Sequence, residues 1–273
     1  MLALPQAAYF LLLEAAVGGT IALFWVHLRG EVNRGFTLFT GCCFLVSAGL
    51  AIWLRSAFPP LVSPEINPTA VVWFAAERTL GLAYVVLLAL YLFGQRVSAL
   101  ATIVRLIGPL VPLLGLAALW SAGLIDASGQ LLGLGAPLAI LAGAMALGSA
   151  LAGLSLGHWY LVSPTLSVRP LIRTTFLCLG ALGVQLVLLP LLLFLPGSPP
   201  GRVESLFSEY LIFFGVRVIF GLLVPVGATL MTWRTARIRS LDSATGLLYV
   251  VSALVLAGEI AARTLYFLTG VAT

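Results

Sequence analysis

Six ionisable residues interrupt apolar runs of this chain: Glu14, Glu77, Arg78, Arg217, Glu259 and Arg263. Facing hydrocarbon, each would cost on the order of 3 kcal/mol, so such groups turn toward one another or toward a wet cavity. Glu259 and Arg263 are spaced i, i+4 with Glu first, the favourable order, and therefore share a helix face. Glu209, shallower, and Arg217 are eight apart and return to nearly the same face. Counted inward from the ends that the Arg pattern (below) places outside, all six lie at roughly 9–15 Å, one slab in the outer half of a bilayer.

Two chemistries fit such a layer. It is either a set of ion pairs that fix helix register, or the wall of a pocket for a small amphipathic molecule with a proton route. A quinol head group suits the second: it needs an acceptor for each leaving proton, an apolar cleft for its ring and tail, and an outlet to water. In that reading Glu259 is the proton acceptor, and Glu14, Glu77, Arg78, Arg217 and Arg263 complete the quinone wall.

The only two histidines, His27 and His158, end the first and fifth apolar runs and so sit at one depth. Two facing imidazoles are what a six-coordinate haem b needs. They also read as interfacial His in an aromatic belt, since Trp25, Trp159 and Tyr160 flank them. A stripe of small residues, Gly143, Ala146, Ala150, Gly153 and Gly157, leads to the second one and admits a flat group or another helix backbone. Cys42, Cys43 and Cys178 show no metal-ligand spacing and read as free thiols.

The elements that must carry these groups are membrane helices. Of 273 residues 61% are hydrophobic and only 8% charged, against about 25% charged in soluble domains. Mean hydropathy is +1.14. Disorder, secretion and soluble enzymology are excluded, and no iron–sulfur, flavin or nucleotide motif is present. Charge, Pro and Gly clusters divide the chain into eight expected helices near 6–27, 36–54, 69–94, 98–122, 132–161, 171–195, 207–233 and 243–269. The class is all-α, a single transmembrane domain over 1–273. Histidines closing helices 1 and 5, with charge in helices 3 and 7, suggest two four-helix bundles.

Arginine orients the set. Loops after the odd helices, with adjoining ends, hold Arg29, Arg34, Arg96, Arg105, Arg169, Arg173, Arg234, Arg237 and Arg239, while the other side holds Arg55 and Arg202. The positive-inside rule then places both termini outside. The net charge of +5 is that topology signal together with attraction to anionic lipid, and implies no nucleic acid.

The last helix reads Ala257-Gly258-Glu259-Ile260-Ala261-Ala262-Arg263-Thr264-Leu265-Tyr266-Phe267. This Gly-Glu-x3-Arg run followed by aromatics resembles the final helix of DmsC/NrfD-type membrane anchors of respiratory oxidoreductases. The resemblance covers about eleven residues and carries over Glu259 and Arg263 alone. It implies eight helices, both termini on the periplasmic side of a bacterial inner membrane, and a menaquinone or ubiquinone site in the outer half. It further implies an iron–sulfur or cytochrome partner at the outer face, with the chain non-catalytic by itself. The competing readings are a secondary transporter with an intramembrane charged site, a b-type haem subunit, and a purely structural anchor.

Overall fold

The computed structural model describes residues 3–60, 68–97, 104, 106–125, 133–163, 165–194 and 201–273. Among them the fold is all-helical. The main helices are α1 (Ala3–His27), α2 (Arg34–Ala57), α3 (Pro68–Gly94), α4 (Leu110–Ile125), α5 (Gly135–Val162) and α6 (Arg169–Phe194). A short α7 (Arg202–Phe207) precedes α8 (Leu211–Arg237) and α9 (Leu241–Thr269).

Seven of these helices are long and apolar enough to cross a membrane, and α4 is a shorter apolar helix. The eighth expected span, 98–122, is therefore described only as α4, because 98–103 and Arg105 lie outside the described residues. So do Pro64 and the polar stretch 126–130. Large apolar side chains such as Trp53, Val72, Phe93 and Ile212 point outward, as hydrocarbon solvent requires. This is a multi-pass membrane protein.

Local chemistry sets the helix ends. The Asn33 side chain accepts from the Phe36 N–H at 2.8 Å and caps α2. Gly270, at φ 71°, closes α9 in the left-handed conformation that glycine adopts without penalty. In α8 the helix widens: Val216–Leu223 is π-helical, and the Val224 N–H reaches back five residues to the Ile219 carbonyl. Pro225 follows, and having no N–H it cannot donate an α-type bond to Gly221.

Packing divides the helices into two consecutive groups. α1 packs on α2 and α4, α2 on α3, and α3 on α4; in the second group α5 packs on α6 and α9, and α8 on both α6 and α9. One core, with Phe10, Tyr84, Leu88 and Leu119, fills the first group; another, with Leu182, Leu222, Val255 and Leu265, fills the second. The groups join where α1 crosses α5, the most extensive helix contact. There a Cβ on Gly148 would overlap the backbone of Gly18 and Gly19, so the two helices touch backbone to backbone.

Candidate functional site

On α9 the buried residues Val251, Val255, Gly258, Glu259, Ala262, Arg263 and Tyr266 recur at three- and four-residue intervals, forming one stripe that faces the bundle. That periodicity carries Glu259 and Arg263 inward. Glu14 comes to them from α1 and Arg217 from the π-helical part of α8, and all four are essentially inaccessible.

The four charges form one chain of contacts. Arg263 Nε lies 2.7 Å from Glu14 Oε1, and Arg263 Nη2 donates to Glu259 Oε2 at 3.0 Å. Arg217 Nη1 donates to Glu259 Oε1 at 3.1 Å. Further acceptors engage the two guanidiniums: Gln185 Oε1 and a Thr273 backbone oxygen accept from Arg217 Nη2 at 2.6 and 3.1 Å, and the Ala139 carbonyl accepts from Arg263 Nη2 at 3.3 Å, while Arg217 Nε is left buried without a partner among the described residues. Two carboxylates against two guanidiniums leave no formal net charge, the condition under which burial is tolerable.

Backbone close approaches shape this chamber. A Cβ on Gly143 would stand 2.5 Å from Glu259 Oε2 and 2.7 Å from Arg263 Nη2. Gly221 and Gly258 bring α8 and α9 together; a Cβ on Gly221 would lie 2.5 Å from the Gly258 Cα. Beyond Gly270 the chain turns back, and Val271, Ala272 and Thr273 are buried over the network. Both Glu259 oxygens are thus occupied by guanidiniums in a closed, neutral chamber.

Glu77 belongs to a different cluster. Arg55 grips it with two hydrogen bonds, Nε to Oε1 at 2.8 Å and Nη2 to Oε2 at 2.9 Å, and Arg55 Nη1 donates to Gln6 Oε1. The rings of Tyr9 and Phe74 lie 4.5 and 5.7 Å from the Arg55 guanidinium carbon. Beside this pair runs a groove of about 200 Å³ between α2 and α3, lined by Ile52, Arg55, Ser56, Pro59, Phe74, Glu77 and Arg78.

The expected single slab of six is therefore two sites. Glu14, Arg217, Glu259 and Arg263 come together; Glu77 pairs with Arg55 instead; Arg78 is exposed at the lip of the groove. Glu209 does not meet Arg217. It is exposed and lines a more open outer basin of about 490 Å³ with Arg202, Tyr210 and Tyr266. Arg55, counted with the charges between the expected helices because the second was ended at 54, is buried in the last turn of α2. Gln6 and Gln185 were missed, although a lone amide in an apolar helix was the available signal.

The histidines are held by different neighbours. His27 Nδ1 is 3.0 Å from Thr37 Oγ1, and its ring meets Tyr91 edge-on. His158 has both ring nitrogens engaged, Nδ1 with the Leu154 carbonyl and Nε2 with the Tyr249 hydroxyl. No group of three or more His, Cys, Asp or Glu side chains that could hold a metal ion occurs among the described residues. The small stripe ends instead against α9: Gly143 meets Glu259 and Arg263, Gly153 meets Leu248, and Gly157 meets Thr245.

No protein-family model and no curated protein matches the chain.

Proposed function

We propose that this chain is the quinol-binding membrane subunit of a respiratory redox complex, and that the quinol head group enters the α2–α3 groove. The carrying observation is that groove: an apolar wall of Ile52, Pro59 and Phe74 beside a carboxylate, Glu77, oriented by two hydrogen bonds from Arg55. An apolar cavity of about 150 Å³ holds a benzene ring, so about 200 Å³ is room for one ring. A carboxylate offers about four acceptor sites, so Glu77 can accept from a quinol hydroxyl in addition to Arg55 and its other partners. Oxidation of quinol releases two electrons and two protons. Both electrons would pass to an iron–sulfur or cytochrome partner at the outer face, and Glu77 would take the two protons in turn, releasing each to water through the groove before the next.

In this reading the buried four-charge chamber is the clip that fixes α1, α8 and α9, and the resemblance of α9 to the anchor family is a resemblance in that clip. Leu110–Ile125 serves with the preceding residues as an eighth span, and both termini lie outside a bacterial inner membrane, following the Arg pattern. Alone, the chain carries no electron acceptor and turns nothing over.

The test is Glu77→Gln in the native complex, with assembly and quinol-dependent turnover measured together. The expected result is normal assembly and turnover lowered about 10²-fold, the lower range for losing a general base. Normal turnover in an intact complex overturns the reading.

A transporter reading has one observation in its favour: the helix carrying buried Arg217 is irregular at that residue, as transporter helices are at substrate sites. Solute-coupled proton uptake by proteoliposomes holding this chain alone would favour it over the redox subunit.

A further inference from the structure

One face of α3 runs outward along its length: Val71, Ala75, Arg78, Leu82, Val86, Leu90 and Phe93, at intervals of three and four, are all exposed. Arg78 is the single charge on it. Among the described residues Arg78 has neither an ion pair nor a hydrogen bond, because the adjacent carboxylate, Glu77, turns the other way into Arg55. Arg55 and Glu77 cancel, so among the described residues the lip of the groove carries one positive charge without a counter-charge. It lies ten residues into α3, roughly 15 Å along the axis from Pro68.

A guanidinium at that position cannot stay bare in hydrocarbon. It draws its long side chain toward the interface and takes a counter-anion there. The fork of N–H donors fits phosphate oxygens two at a time. Above and below lie Val71, Ala75 and Leu82, a surface for an acyl chain.

We infer that Arg78 holds the phosphate of an anionic phospholipid, whose chains lie along the Val71–Leu82 face of α3. The occupant is lipid rather than protein because the other exposed residues along this face, Val71, Ala75, Leu82, Val86, Leu90 and Phe93, are apolar and the charge to be matched is one phosphate. The phosphate sits at the lip of the groove, which Arg78 helps to line, while the chains lie along the outward face of α3; the assignment does not need a quinol in the groove.

The experiment uses the purified full chain in mixed micelles of phosphatidylglycerol and phosphatidylcholine, with retained lipid read by native mass spectrometry. Wild type retains phosphatidylglycerol preferentially. Arg78→Gln, a change at an exposed and unpaired position, weakens that retention about fivefold and leaves phosphatidylcholine unchanged, the contribution of one basic side chain near a charged surface. Arg78→Lys keeps the preference. Equal retention by wild type and Arg78→Gln overturns the assignment. So does displacement of the lipid by millimolar inorganic phosphate, which would make the site one for the free ion, or loss of a co-purifying protein in place of lipid. Lipid retention is read on the Arg78 variants and quinol turnover on Glu77→Gln in the native complex, so failure of the lipid test leaves the Glu77 site standing, and the reverse holds equally.

Discussion

Gly143 of α5 faces the Glu259 carboxylate of α9 so closely that a Cβ at position 143 would lie 2.5 Å from Oε2. The charged chamber is therefore built on a missing side chain as much as on those present. Both neighbours of that vacant position, Glu259 and Arg263, are pinned by ion pairs and cannot swing aside without breaking one.

Gly143→Ala should accordingly lower stability by about 1–3 kcal/mol, the range for overpacking a filled interior. Gly180→Ala, at a helical glycine with open space around it, should change it far less. Thermal unfolding of the two variants in detergent compares them directly, and equal midpoints would show that the chamber yields.

Removing one charge from a neutral buried set leaves the others uncompensated. Arg263→Met strips Glu14 of its ion pair and Glu259 of one of two, and should cost about 3–5 kcal/mol. Adding Glu14→Gln to Arg263→Met restores neutrality and should recover part of that loss. A double variant no better than the single one would mean that the hydrogen bonds, not charge balance, hold the site.

Salt separates the inner pairs from the outer one. Arg173 and Glu31 form an ion pair in which the Arg side chain is 34% exposed, whereas the Arg217–Glu259 pair is closed to solvent. Raising ionic strength from 0.05 to 1 M shortens the screening length from more than 10 Å to about 3 Å. The stability lost on Arg173→Gln should shrink at high salt, while the loss on Arg217→Gln should persist. Denaturation of both variants across a salt series measures this.

The helices were legible because each is a long apolar run ended by Pro, Gly or charge, and hydrocarbon leaves the backbone no other solution. Glu259 and Arg263 were legible as a pair from spacing alone. Their partners were not. Spacing along one helix reports which residues share a face, but says nothing of the rotation of a neighbouring helix, which here decides that Arg263 meets Glu14 and that Arg55, not Arg78, meets Glu77. Depth placed six charges in one layer, yet a layer is not a site: Glu77 and Glu259 face different bundles. Arg55 was hidden for another reason. The second expected helix was ended at 54, which left Arg55 among the charges between helices, although it occupies the last turn of α2.

The last prediction concerns which way the bundle faces. Helix α8 runs from Leu211 to Arg237 without leaving the helical path, a length of roughly 40 Å, enough to span. One end carries Arg234, Arg237 and Arg239; the other, near Ser208, offers Arg202 with Glu204 and Glu209. Positive residues near short loops stay in the cytoplasm, so Ser240 should face inward and Ser208 outward. Cys42 and Cys43 are exposed and would react themselves, so the probe residues belong on a background in which all three native cysteines are Ser. In intact cells an impermeant maleimide should then label Ser208→Cys at once and Ser240→Cys only after lysis. Labelling of both from one side would remove the span, and the opposite order would invert the bundle and place the α2–α3 groove in the inner half of the membrane, away from an outer redox partner.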